Sequence, residues 1–173
     1  VVALINSSKA QTFLDVLVIA VILFVSATAF VIISMAQKEI SSELLADPDF
    51  STSTEAVDAL TAFDAHFTTS LDTMIIVVFV LLWVFVIVSS LFVDANPIFL
   101  VISVILLVII LVVMAVMSNA YEEFISDGDI YTFASGFPKT NYIMEHLVLF
   151  CAFIAFSGII AIYGKNAWAG GLA

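Results

Sequence analysis

The chain has 173 residues, 64% of them hydrophobic and 11% charged, with a mean hydropathy of +1.25, a balance outside the range of a soluble globular domain. Fifteen acidic residues face four lysines and no arginine, for a net charge of -11, so there is no basic surface to neutralise phosphates and direct nucleic-acid binding is disfavoured. The one cysteine, Cys151, lies in an apolar run, which excludes an intramolecular disulfide and a thiolate metal cluster.

The pattern predicts an all-α polytopic membrane protein, a single membrane domain over 1–173 with four transmembrane helices in a bundle and helical extensions on one side. A hydrocarbon core about 30 Å thick takes roughly 20 helical residues to cross, and four stretches reach that length: about 13–35, 73–93, 97–117 and 143–163. Runs such as "MIIVVFVLLWVFVIV" do not alternate polar and apolar residues, which excludes barrel strands.

In the first stretch, "SMAQ" at 34–37 is similar to a signal-peptidase site, but the apolar run before it is longer than a usual signal segment and reads as a retained span. Asp15 is read as a helix-start acid that complements the N-terminal dipole. The helix is expected to continue through "AQKEISSELLA", with Ile40 and Leu44 keeping one face apolar, until "DPDF" at 47–50 stops it. "TSTE" at 52–55 has capping-box spacing, with Thr52 as the cap, and predicts a second helix from near Ser53. Along it Val57, Leu60, Phe63, Phe67 and Leu71 recur at helical spacing while Glu55, Asp58 and Asp64 fall elsewhere, so the extensions of the first two helices can pair above the bilayer. Trp83, midway along the second span, is expected to pack between helices.

The second and third spans would otherwise be one nearly unbroken apolar run, interrupted by Asp94, Asn96 and Pro97. These three are read as a hairpin turn at the far interface, with Asp94 or Asn96 capping the next helix and Pro97 in its first turn. The third helix should run on through "SNAYEEF" to about Phe124. "DGD" at 127–129 and "SGFP" at 135–138 then predict a short loop, with Asn141 capping the fourth helix. In that helix Ala152, Ala155, Ser157, Gly158 and Ala161, like "SATA" at 26–29 in the first, are small residues that let backbones approach closely; these two spans are expected at helix interfaces and the Val/Ile/Leu/Phe-rich second and third against lipid.

The acidic segments 37–72 and 119–142 share one side of the membrane, where thirteen acids face only Lys38 and Lys139. Lysine numbers tie between the two sides, and the nearness of Lys9 and Lys165 to short ends favours cytoplasmic termini. Glu122, Glu123, Asp127 and Asp129 form a candidate acidic partner face; they lack the spacing of a calcium-binding loop, and His66, Glu145 and His146 lack zinc-ligand spacing, so no metal and no other cofactor is expected. No catalytic constellation accompanies the serines, which points away from an enzyme.

The stretch "DANPIFLVISVILLVIILVVMAVMSNAYEEF" (94–124), followed by "FPKTNYIMEHL" (137–147), resembles small multispan membrane proteins of tailless icosahedral viruses with an internal lipid membrane. That resemblance implies a structural protein that populates the virion membrane and links or curves it beneath the capsid, and it carries over no individual residue roles. The expected partners are the lipid bilayer and other membrane or capsid proteins, in homo- or hetero-oligomers, within a virion internal membrane or a host cytoplasmic membrane. Two other readings stay open. One is a holin-like or channel-forming protein, hinted at by Ser26, Thr28 and Ser34; the other is an accessory subunit of a cellular membrane complex.

Overall fold

A computed structural model of the chain describes residues 8–92 and 97–170. In chain order the helices are α1 (Ser8–Ala46), α2 (Pro48–Ser51), α3 (Thr54–Leu91), α4 (Pro97–Ile125), α5 (Gly128–Ala134), α6 (Pro138–Glu145) and α7 (Leu147–Gly170), with no strand among the described residues. Four of them, α1, α3, α4 and α7, are long and apolar enough to cross a membrane. At 39 and 38 residues, α1 and α3 are each close to 60 Å long, about twice the hydrocarbon thickness, so both project well beyond the bilayer.

One stripe of α1 organises the bundle. Val16, Ile19, Ala20, Leu23, Ala27 and Val31 recur every three or four residues and are all buried. Facing them are Ile75 and Val86 of α3, Met114 of α4, and Leu147, Cys151, Ile154 and Ala155 of α7. The spans are not paired in the order of the chain: α1 and α7 touch each other and both α3 and α4, while among the described residues α3 and α4 make no substantial contact. Small residues let α1 and α7 approach their neighbours, and the bulky Val, Ile, Leu and Phe faces of α3 and α4 stay outside. In keeping with this, 33% of the apolar crossing stretch is buried in α1 and in α7, but only 17% in α3 and 22% in α4. Leu81, Phe85, Val101, Val112 and Val116 point outward, where lipid would meet them.

Local chemistry sets the helix ends. Pro48 cannot continue α1, and Asp47 instead caps α2, its carboxylate accepting from Asp49 N at 2.8 Å. The cap of α3 is Ser53, which accepts from Ala56 N at 3.4 Å; Thr52, one residue earlier, donates its hydroxyl to Asp49 O and is not the cap. Pro97 opens α4, while Asp94 and Asn96 lie outside the described residues. Asp15 falls two turns into α1, beyond the reach of the helix-terminal dipole, and accepts from Ser89 Oγ of α3 at 3.3 Å, so it is an interhelix contact and not a helix-start acid.

Above the membrane the inward face of α1 differs from that expected, while on α3 Val57, Leu60, Phe67 and Leu71 are half-buried and Glu55 and Asp58 exposed as the spacing predicts, Phe63 and Asp64 being the exceptions. Extending the α1 stripe by the same three-and-four spacing leads to Ser34, Gln37 and Ser41, and these face α3, whereas Ile40 and Leu44 are exposed. Ser34 Oγ and Thr68 Oγ1 are 3.1 Å apart, and Asp64 Oδ1 accepts from Ser41 Oγ at 2.8 Å and from Gln37 Nε2 at 3.2 Å. Phe63 stacks on Phe67 at the surface, and Asp64 turns inward. The rotational phase of each rod is set by its seam in the membrane, and the head inherits it.

Candidate functional site

The candidate site is the acidic head, where segment 119–142 lies against the upper ends of α1, α3 and α4. Residues 127–138 were expected to form a short loop, but Asp127 accepts from Asp129 N and starts α5, and Pro138 starts α6. Burial accounts for the extra order. Phe137 and Ala134 pack on Val31, flanked by Leu71, Phe124, Ile125, Ile130 and Phe133, so α5 and its exit form a lid over the bundle.

The lid is fastened by a polar network around Asp72. The N-cap position of α6 is Phe137, which has no side-chain acceptor, and Pro138 has no N–H, so the first free donors are the amides of Lys139 and Thr140. Asp72, 3% exposed and reaching across from α3, accepts from Thr140 N at 2.8 Å, Thr140 Oγ1 at 2.9 Å and Lys139 N at 3.3 Å. A carboxylate from a distant helix thereby caps α6 and places negative charge at its positive end. Asn141 does not cap the fourth span. It lies inside α6, where its Nδ2 donates to Ala134 O and its Oδ1 accepts from the buried Tyr121 hydroxyl, both at 2.9 Å.

The fourth span is itself interrupted. The helix breaks at His146, between α6 and α7, and Ser118 Oγ of α4 donates to Met144 O at 2.7 Å, satisfying a carbonyl freed by the break. Gly136 closes the lid against α3: a Cβ there would lie 2.9 Å from Thr68 Cγ2 and 3.3 Å from Phe133 O. In sequence the capping role fell to Asn141, and Asp72 was simply one acid among thirteen. The signal available in sequence was a Pro138 start with Phe137 before it, a helix that lacks its own cap.

Glu122 and Glu123 at the end of α4 and Asp127 and Asp129 at the start of α5 are all exposed. They neighbour one another in sequence across the turn from α4 into α5. Among the described residues there is no group of three His, Cys, Asp or Glu side chains placed to hold a metal ion. His146 instead lies against the Tyr142 ring at 4.5 Å.

Of the small residues singled out in α7, Ala155 and Gly158 are buried at the helix interface, and Ala152, Ser157 and Ala161 are half-buried. Ser157 Oγ accepts from Trp83 Nε1 at 2.9 Å and donates to Ile154 O at 2.7 Å, so the mid-span tryptophan has its polar atom satisfied while its ring packs on Phe153. Replacing Trp83 with Phe removes a hydrogen bond where there is no water to replace it, and should lower stability in detergent by about 1 kcal/mol; an unchanged unfolding midpoint would count against that bond.

Two of the three hydroxyls that hinted at a conduit are engaged within the chain. Thr28 donates to Phe24 O of its own helix, and Ser34 pairs with Thr68. The chain matches no protein-family model, no curated protein and no solved structure.

Proposed function

We propose that this protein is a non-enzymatic structural component of a membrane, the internal membrane of a lipid-containing virion, whose bundle organises the bilayer and whose acidic head engages a basic surface on a capsid or membrane partner. The observation that carries this reading is the exposure of Glu122 and Glu123 at the end of α4 and of Asp127 and Asp129 at the start of α5, beside a lid that buried hydrogen bonds hold to the bundle. A charged face on a fixed platform meets its partner without first having to be ordered, and complementary charge speeds and orients the encounter. The resemblance over 94–124 and 137–147 supports the viral setting. The small-residue faces of the first and fourth spans support association in the plane of the membrane.

The test is copurification. The protein should travel with lipid-containing particles at a high, symmetry-related copy number, and recovery solely as an isolated monomer without partners would contradict the reading. Converting Glu122 and Glu123 to Gln and Asp127 and Asp129 to Asn should lower cross-linking to the partner by about tenfold or more, with helical content retained. Undiminished cross-linking would rule out this face.

A further inference from the structure

A groove of about 580 Å³ opens on the outer surface where α6 meets α7. Its floor is apolar: Ile76, Phe79 and Val80 of α3, Ile143 of α6 and Phe150 of α7, with Phe79 and Phe150 edge to face at 5.1 Å. At its edge lie Pro138 and Lys139, with the exposed ring of Tyr142 one turn along, and the Lys139 ammonium is the charged group of the edge. Lys139 Nζ donates to Thr73 Oγ1 at 2.8 Å, which holds it at the level where the second span begins and leaves further ammonium donors free. Although this side of the chain carries thirteen acids, Lys139 pairs with no carboxylate among the described residues.

We propose that this groove holds one phospholipid of the surrounding bilayer, its phosphate on the Lys139 ammonium and one acyl chain along the floor. The volume falls in the range of about 300–1,000 Å³ typical of small-molecule sites. An unpaired ammonium at interface depth beside an aromatic ring is the complement of a lipid phosphate. The acidic surroundings oppose a dissolved anion, so a phosphate that arrives with a chain to bury is the occupant that fits both halves of the groove. The proposal rests on embedding in a bilayer, and is independent of any partner of the acidic face.

Native mass spectrometry of the full chain, released from detergent micelles doped with dioleoyl phosphatidylglycerol, tests it. The parent chain should retain one lipid. Lys139→Gln and Val80→Trp, which fills the groove, should each lower retention by about tenfold, since a charge-assisted hydrogen bond contributes at least that factor; Lys38→Gln, on a different face, should leave it intact. Dioleoylglycerol, which has no phosphate, should not be retained, and inorganic phosphate should not displace the lipid. Equal retention by the parent and Lys139→Gln overturns the proposal, as does retention of dioleoylglycerol to the same extent or displacement by inorganic phosphate. If Val80→Trp does not fold, the exposed Lys139→Gln change still decides.

Discussion

Replacing Asp72 with Ala is expected to lower the stability of the folded chain in mixed micelles by about 3 kcal/mol, more than any other single change on the head. The loss has two parts. The amides of Lys139 and Thr140 lose their acceptor at the first turn of α6, and the Thr140 hydroxyl, on a fully buried residue, is left with no partner shown for it. Because nothing at Phe137 or Pro138 can take over the cap, the first turn of α6 should fray and loosen the lid. Limited proteolysis between 126 and 146 should therefore accelerate more than cleavage near 47–53. Asp72→Asn, which keeps one acceptor oxygen of the same shape, should lose about half as much. An Asp72→Ala chain with an unchanged unfolding midpoint and cleavage pattern would show that the cap contributes nothing.

The second large effect is steric. Gly136→Ala should cost about 2 kcal/mol, because the added Cβ meets the Thr68 methyl at 2.9 Å and the Phe133 carbonyl at 3.3 Å. Thr68 has little room to yield, since turning its side chain away would break the contact of its hydroxyl with Ser34. Thr68→Ser removes the opposing methyl and keeps the hydroxyl, so combining it with Gly136→Ala should recover most of the loss. The two substitutions should thus be strongly coupled in a double-mutant cycle. Additive effects would mean that the lid and α3 do not approach each other at this point.

The parts of the fold governed by length and by local chemistry were legible in the sequence. Four apolar runs of spanning length became four long helices, Pro48 stopped α1, and α4 ran on to Ile125 as "SNAYEEF" suggested. The inward face of α1 in the head was not legible, because an apolar stripe such as Ile40 and Leu44 is only a guide where burial is decided locally. Here the phase was decided some 20 Å away, in the membrane seam, and it turned Ser41 and Asp64 towards each other. The lid was missed for a different reason: the cap of α6 comes from Asp72, with Asp72 and Thr140 68 residues apart, and no spacing rule spans that distance. The acidic residues were visible from composition alone, but their division into two kinds was not. Asp64 and Asp72 hold the head together, and Glu122, Glu123, Asp127 and Asp129 are left for the surface.

The central claim is a bundle crossing the bilayer four times with its whole head on one side, and labelling with a membrane-impermeant maleimide in sealed vesicles tests it most directly. Glu43→Cys, Asp58→Cys and Asp129→Cys place reporters at exposed positions on α1, α3 and α5, and Gly164→Cys places one in open space near the far end of α7. The native Cys151 is buried and should stay unlabelled. The first three should react from the same side of the vesicle and Gly164→Cys from the other. Labelling of Gly164→Cys together with Asp58→Cys from one side, or of Glu43→Cys and Asp129→Cys from opposite sides, would contradict the account.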